Sequence, residues 1–294
     1  MNDTASTAEE LDAALPDIDW STPPPGALRD AVDAPSGRLA RLSLGPADGP
    51  RVVLAPGATG SKEDFGLMMP LLAAAGYRTE SYDLAGQYES HDAGPENLDP
   101  PQQRYTLELF VDDLLAVIRS GATPVHLVGY SFAGTVAAVV TARHPELVAS
   151  LALLSTPPLA GQSFRGFKVL GPLSGAMTGH VGAGLMIWGV RRNFNRSPRG
   201  RLDFVRARFA LTRRSSVDDI ITAMKDVPDV DEGLRASGVP ILVAVGTGDI
   251  WPVSAHRAFA ERIGARLDVF RTGHTPNETA PHQLSEALLS NFRG

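Results

Sequence analysis

Short strand-like runs alternate with segments of helical length through most of the chain. The strand-like runs are Val52 to Ala55, Thr79 to Tyr82, Pro124 to Val128, Val148 to Leu154, Pro240 to Val245 and Arg266 to Phe270. The helical segments are Glu63 to Ala75, Leu107 to Arg119, Thr135 to Arg143, Ser254 to Ile263 and Pro281 to Phe292. Strands and helices that alternate in this way predict an α/β fold, with a mostly parallel central sheet and helices on both faces.

The alternation fails in two regions, and these set the predicted domain boundaries. Residues 1–36 contain a run of three prolines and are interpreted as an N-terminal extension that is partly ordered at most. Arg38 to Leu44 alternates polar and apolar positions, which predicts an edge strand. Residues 157–227 lack a strong strand pattern and are predicted to form a mainly helical insertion over the sheet. The predicted core therefore comprises residues 37–156 and 228–294.

A sharp turn with a serine follows the predicted strand Pro124 to Val128. The sequence runs Gly129-Tyr-Ser-Phe-Ala-Gly134 and then continues as an apolar helical segment. A serine held between a strand and a helix, with small residues around it, is the arrangement that exposes a nucleophilic hydroxyl. An ordinary strand–helix connection with a serine near the helix N-terminus is the simpler interpretation. The position directly after a buried strand favours Ser131 as a nucleophile.

A serine nucleophile requires a base, and the base requires an orienting group. Asp249 and His274 each come directly after a late predicted strand. In sheets of this kind, working residues gather beyond the C-terminal ends of the strands. We therefore predict His274 as the base and Asp249 as the acid that orients it, although Asp249 could instead cap the following helix.

The remaining histidines suit this chemistry less well. His126 is predicted to be packed within a strand, and His91 and His180 follow no late strand. Solvation is the expected state of those at or within helices, namely His144, His256 and His282.

Backbone amides are the expected donors to the negative oxygen that develops during acyl transfer. The N–H of Phe132, directly after the serine, is one predicted donor, and the N–H of Ala58 in the loop after Val52 to Ala55 is the other. The loop Gly57-Ala-Thr-Gly-Ser-Lys62 also has features of a phosphate-binding loop. It lacks the glycine spacing that such a loop needs, so no cofactor is predicted.

Composition narrows the function further. The 294 residues have a formal charge of −6, which argues against nucleic acid as a general partner. The absence of cysteine excludes disulfides, thiolate metal sites and a cysteine nucleophile. No histidine spacing matches a metal-binding motif, so no metal is predicted. The oligomeric state is left open by the sequence.

Two segments bear on location. The polar, acidic N-terminus differs from a signal peptide, which predicts a cytoplasmic protein. Val169 to Val190 contains no Asp, Glu, Lys or Arg and is long enough to span a membrane. Its glycines and Pro172 weaken helix propensity and hydrophobicity, which favours a buried or pocket-covering segment over membrane contact.

In these ordered motifs the chain resembles the α/β-hydrolase fold family. The resemblance covers about residues 38–156 and 228–294 and rests on Pro56-Gly57, Asp83-Leu-Ala-Gly86, the turn around Ser131, Asp249, and Gly273-His274. The order Ser, Asp, His along the chain is the order found in that family. Two departures are Pro56, where a histidine is common, and Ala133, where the turn usually has a second glycine. Membership implies an insertion that acts as a cap over the pocket.

The resemblance implies a serine hydrolase that cleaves an ester or related acyl bond through an acyl-enzyme. Carbon–carbon bond hydrolysis on the same triad, or an inactive ligand-binding member, are the alternatives. The apolar first half of the cap favours a small, partly apolar acyl substrate. Nine arginines and one acid between Arg191 and Arg214 predict either a solvated basic face or a patch that attracts an anion.

Overall fold

A sheet of eight strands runs through the part of the chain that the structure, a computed structural model, describes, namely residues 6–166 and 198–294. The strands are β1 (Leu28–Ala34), β2 (Gly37–Leu44), β3 (Arg51–Ala55), β4 (Arg78–Tyr82), β5 (Val125–Tyr130), β6 (Val148–Leu154), β7 (Ile241–Gly246) and β8 (Arg266–Phe270). Their order across the sheet is β1-β2-β4-β3-β5-β6-β7-β8. Only β2 runs antiparallel to its neighbours, β1 and β4, and every other pair is parallel. The predicted α/β fold class is confirmed.

Helices cover both faces of this sheet. They are α1 (Ala8–Ala13), α2 (Met69–Ala74), α3 (Leu107–Arg119), α4 (Phe132–Arg143), α5 (Arg199–Leu211), α6 (Arg214–Ala223), α7 (Asp231–Ala236), α8 (Val253–Ile263), α9 (Pro276–Thr279) and α10 (Pro281–Asn291). Along β3, Val53 belongs to the core under α3, α4 and α8, whereas Val52 and Leu54 belong to the core under α2 and α10. Successive side chains of a strand point to opposite faces, so a strand that is buried on both sides reads as a continuous apolar run.

One predicted helix is two shorter elements in the structure. The segment from Glu63 to Ala75 consists of a 3₁₀ turn, Lys62–Phe65, followed by α2. Pro70 explains the division. Proline fits the first turn of a helix, where Pro70 lies in α2, but it cannot supply the N–H that a helix interior requires.

Arg38 to Leu44 lies within strand β2, but its predicted place at the edge of the sheet is wrong, because β1 pairs outside β2 over its whole length, with Val32 opposite Leu39. Val32 is the only buried residue of β1. A strand at the edge of a sheet buries little and carries charge, so Leu28–Ala34 lacks both the continuous apolar run of the central strands and the apolar alternation of Arg38 to Leu44. The ordered sheet thus begins within the segment interpreted as an extension.

Residues upstream of β1 also dock on the body. Asp12 of α1 accepts a hydrogen bond from the backbone N–H of His282, at 2.8 Å. Trp20 is buried, and its ring lies 4.5 Å from the guanidinium of Arg201 in α5. Asp17 accepts a hydrogen bond from Gly200 N in the first turn of α5, at 3.0 Å. These contacts hold the N-terminal segment against α10 and α5.

The predicted insertion contains α5 and α6. Its neck is closed by two hydrogen bonds between Gly161 and Val227, at 2.7 and 3.0 Å. The apolar segment Val169 to Val190 lies outside the described residues. Among the described residues, no helix has the combined length and hydropathy of a membrane span.

Candidate active site

Ser131 lies at the tip of a tight turn between β5 and α4. Its backbone has φ 52° and ψ −120°, a left-handed conformation that costs a residue with a side chain about 1–3 kcal/mol. The Ser131 N–H donates to Leu154 O of β6 at 2.8 Å, and Gly134 N donates to Ser131 O at 2.9 Å. Neighbouring backbone therefore fixes the strained serine at the C-terminal end of the sheet.

Glycines at two positions make this turn possible. A Cβ on Gly129 would lie 2.6 Å from Ala133 O, and a Cβ on Gly134 would collide with the side chain of Thr156. Ala133 retains its methyl group and is fully buried. The turn therefore needs glycine at positions 129 and 134, whereas position 133 has room for the methyl group of Ala133.

The three predicted catalytic side chains lie in contact. His274 Nε2 is 3.3 Å from Ser131 Oγ, and His274 Nδ1 is 3.3 Å from Asp249 Oδ1. Ser131 follows β5, Asp249 follows β7 and His274 follows β8, and these three strands run in parallel within one sheet. Parallel strands place their C-terminal ends at one edge, which explains how residues 143 positions apart meet.

Asp249 is buried and ionised. Burial disfavours its charge, but the neighbouring imidazoles of His256 and His274 outweigh burial and hold the pKa of Asp249 well below its usual range. The backbone N–H of Trp251 also donates to Asp249 Oδ1, at 3.1 Å. A carboxylate with these partners can orient an imidazole and stabilise its protonated form.

His256 is the residue at this site that the sequence interpretation missed. The expectation of a solvated His256 is wrong, because its side chain is 0% exposed and its Nε2 lies 3.8 Å from Asp249 Oδ1. The signal was present in the spacing of α8. His256, Phe259, Ala260 and Ile263 form its buried face, at the i, i+3, i+4, i+7 intervals of one helical stripe.

The predicted oxyanion loop lies directly against the serine. A Cβ on Gly57 would approach Ser131 Cβ to 3.1 Å, and Ala58 is the next residue of this loop. Phe132 is the first residue of α4, where a backbone N–H has no partner within the helix. The two segments that are predicted to supply the amides thus lie next to the serine.

The other histidines of the described chain lie away from Ser131. The ring of His126 stacks on Phe292 with a centroid distance of 4.2 Å, and burial lowers the pKa of His126 to about 4. His282 Nδ1 is 2.8 Å from Asp12 Oδ1, so its expected solvation is only partial. His91 and His144 are near surface groups, and His180 lies outside the described residues. Within residues 6–166 and 198–294, no group of three or more potential ligands is arranged for a metal ion.

Two arginines of the predicted basic segment are buried against the core. Arg208 Nη1 and Arg201 Nη2 donate to Asp64 Oδ1 at 2.6 and 2.7 Å, and Arg201 also pairs with Glu278. We call these four residues the cap–core ion cluster. Asp64 lies in the 3₁₀ turn after the oxyanion loop, and Glu278 lies in α9, shortly after His274. The cluster therefore joins α5 to both loops that flank Ser131.

The cluster neutralises its own charges. Burial disfavours the charge of Asp64, but the two guanidinium groups outweigh burial and hold the pKa of Asp64 below its ordinary value. The other described arginines of the segment also lie near carboxylates: Arg199 and Arg206 near Asp203, Arg213 near Glu96, and Arg214 near Asp218. The six arginines in the described part of this segment thus lie near five carboxylates, since Arg199 and Arg206 share Asp203, and this argues against that part as an anion-attracting patch.

Removing one buried arginine should destabilise the protein. Arg208→Met leaves Asp64 buried with one guanidinium instead of two, and breaking such a pair costs about 3–5 kcal/mol. The free energy of unfolding in urea measures the loss. Arg206→Met, on the exposed face of the same helix, is the matched control and should change this free energy by less than about 0.5 kcal/mol. Equal unfolding midpoints for the two variants would contradict this account of α5.

Comparison with known proteins shows which families and structures the chain is similar to. The sequence profile described as "Alpha/beta hydrolase family" matches residues 52–287 of the chain. A Variovorax paradoxus (strain S110) protein named as a carbamate hydrolase, RutD, is 34% identical over 112 residues, which is 38% of this chain and 40% of that protein. Bifunctional epoxide hydrolase 2 of Rattus norvegicus is 27% identical over 166 residues, covering 53% of this chain and 28% of that protein. The matches thus span less than half the length of either relative.

Several solved structures have the same fold at low sequence identity. An esterase from Exiguobacterium antarcticum superposes with a TM-score of 0.75 at 21% identity, covering 91% of this chain and 100% of its own. A bromoperoxidase from Bacillus anthracis gives a TM-score of 0.74 at 18% identity, again covering 91% and 100%. An enol-lactonase from Burkholderia xenovorans LB400 gives 0.71 at 19% identity, covering 90% and 100%. Structures this distant in sequence share a fold with the chain, and the same fold hosts several activities.

Proposed function

The chain belongs to the alpha/beta hydrolase family, and from that premise we propose that it is a serine hydrolase cleaving an ester or related acyl bond. The observation that carries the proposal is the continuous contact from Ser131 Oγ through His274 to the buried carboxylate of Asp249, at 3.3 Å in each step. Nucleophile, base and orienting acid stand in the order that activates a serine hydroxyl.

In the proposed reaction, Ser131 Oγ attacks the substrate carbonyl while His274 Nε2 takes the hydroxyl proton. The tetrahedral intermediate collapses when His274 returns this proton to the leaving group, which leaves an acyl group on Ser131. Water then attacks the acyl carbon while His274 takes its proton. The bond from this carbon to Ser131 Oγ breaks, His274 returns the proton to Ser131 Oγ, and the acid is released. Besides the substrate and water, the proposed reaction uses the side chains and backbone amides of this site.

Asp249 acts through His274. Its carboxylate faces Nδ1, so the Nδ1 proton is held by a charged acceptor and Nε2 is free to receive the serine proton. Because the pKa of Asp249 is held low, the negative charge is present when His274 becomes positive. The attraction between these two charges stabilises the step in which the serine attacks.

The proposed substrates are small carbonyl compounds with a good leaving group. Esters come first, since an esterase shares the fold, and carbamates come next, since a relative is named as a carbamate hydrolase. Both present a carbonyl carbon to Ser131 and develop the same oxyanion. The cap is the part of the chain that would select among them.

A fluorophosphonate probe tests the proposal most directly, because it labels only an activated serine. Labelling of the wild-type chain, its loss in Ser131→Ala, and turnover of p-nitrophenyl esters of increasing chain length are the expected results. A chain that is not labelled and binds these esters without cleaving them would be a ligand-binding member instead. Cleavage of vinylogous diketones but not of esters would identify a carbon–carbon bond hydrolase.

Removing the predicted oxyanion donor of Ala58 should slow the reaction without removing the nucleophile. Ala58→Pro deletes this backbone N–H, and losing one such donor typically lowers kcat about 100- to 1000-fold. Ala58→Gly keeps the N–H and is the matched control. The two variants are compared by kcat on p-nitrophenyl butyrate. If Ala58→Pro retained the kcat of Ala58→Gly, the donor would lie elsewhere in the loop.

A further inference from the structure

A second imidazole lies beside the carboxylate of Asp249. His256 Nε2 is 3.8 Å from Asp249 Oδ1, the same oxygen that His274 Nδ1 approaches to 3.3 Å. We propose that His256 is a positioning residue, which donates a hydrogen bond to Asp249 and so holds this carboxylate in the orientation that His274 requires. The inference rests on the proposed function, because it assigns His256 a role in the same reaction.

The need for a partner is the first argument. His256 is fully buried, and neither of its ring nitrogens has a hydrogen-bond partner among the described residues. Leaving a buried polar group unpaired costs about 1–3 kcal/mol, so such groups nearly always have partners. The Asp249 carboxylate is the acceptor within reach. A small rotation of the two side chains shortens 3.8 Å to a hydrogen bond, for which about 2.7–3.2 Å is usual.

The local chain holds the two groups together. Asp249 precedes α8 and His256 lies in the first turns of this helix, so one short segment carries both. Trp251 lies between them in sequence. Its backbone N–H donates to Asp249 Oδ1 at 3.1 Å, and its indole N–H donates to Ser163 O at 2.9 Å. The indole meets the His256 ring edge-on, at a centroid distance of 6.3 Å, which limits where that ring can turn.

The electrostatics agree with this geometry. Burial disfavours the charge of Asp249 and raises its pKa. Among the groups that lower this pKa, His256 has a larger effect than His274. A donor behind the acid keeps it charged while His274 gains and loses its proton. His256 faces Asp249 and reaches the reaction only through it. Its loss should therefore affect catalysis through Asp249 and through no other group.

Substitution of His256 in two backgrounds tests the inference. His256→Phe and His256→Asn remove the donor from reach, and we expect kcat on p-nitrophenyl butyrate to fall about tenfold with KM unchanged, as for a lost hydrogen bond to a charged group. His256→Gln places an amide N–H near the position of Nε2 and should restore most of the rate. In an Asp249→Asn background, His256→Phe should cause no further loss.

Thermal unfolding of each variant reports whether the fold is retained. If His256→Phe does not fold, the kinetic comparison is made with His256→Asn. Wild-type kcat in both His256→Phe and His256→Asn would overturn the inference. So would an equal loss in the wild-type and Asp249→Asn backgrounds, which would assign His256 a general packing role. The proposed function fails by a different result, namely ester turnover that survives Ser131→Ala.

Discussion

Replacing Ser131 with alanine is expected to lower kcat by roughly a million-fold, and His274→Ala should do nearly the same. Without the hydroxyl there is no acyl-enzyme, and without the imidazole the hydroxyl keeps its proton. The two losses should not add, because each residue works only through the other. Steady-state kcat on p-nitrophenyl butyrate, together with labelling of the chain by a fluorophosphonate, measures both.

A third variant separates catalysis from folding. Ser131 has a φ of 52°, where glycine is not strained, so Ser131→Gly should abolish labelling while raising the unfolding midpoint above that of Ser131→Ala. Labelling or substantial turnover in either variant would show that another group is the nucleophile. A fall in the unfolding midpoint of Ser131→Ala large enough to unfold the chain at assay temperature would make Ser131→Gly the informative variant.

The central strands could be predicted because nearly all of their residues are apolar. Val52 to Ala55 and Val148 to Leu154 are apolar at nearly every position, as a strand buried on both faces requires. The sites after β5, β7 and β8 followed from one rule, that parallel strands end at the same edge. The proposed nucleophile, acid and base therefore follow from motif and order alone, and the three side chains lie in contact in the structure.

Features that depend on a partner, and not on the pattern of the segment itself, were not predicted. β1 is stabilised by backbone pairing with β2, which leaves no apolar pattern to find. Arg201 and Arg208 were interpreted as surface charges because their acids lie more than 70 residues away along the chain. His256 escaped for a different reason. Its residue type predicted solvation, while its helical spacing with Phe259 and Ile263 indicated the buried face, and burial followed the spacing.

The buried ion pairs of α5 connect the predicted insertion to the proposed active site. α5 contributes Arg201 and Arg208 to a cluster whose acids lie next to the oxyanion loop and just beyond His274. Buried ion pairs tolerate little displacement, because separating the two charges leaves each of them without a partner in a medium of low dielectric constant. The position of α5 is therefore tied to the positions of the 3₁₀ turn and of α9.

Asp249→Asn is expected to lower kcat by roughly 10⁴-fold. The asparagine has nearly the shape of the aspartate, so the site keeps its packing, but an amide cannot hold the Nδ1 proton with a negative charge or stabilise a protonated His274. The wrong tautomer of His274 then presents an N–H to Ser131 Oγ and cannot act as a base. Single-turnover labelling by a fluorophosphonate measures this loss apart from deacylation.

The pH dependence of this variant follows from the charge on Asp249. The folded-state pKa of Asp249 is lowered, so the carboxylate stays ionised as pH falls below the unfolded value near 4, and the stability it contributes is lost only when pH passes through the lower, folded value. Between about pH 5 and pH 8 no proton binds to Asp249, so the deficit of Asp249→Asn should persist at the acidic end of this window. Asp268→Asn, on β8 beside Arg266 at 3.1 Å, is the matched control and should match the wild type in kcat. A deficit that vanished at the acidic end would mean that Asp249 is protonated there, which the neighbouring imidazoles of His256 and His274 oppose.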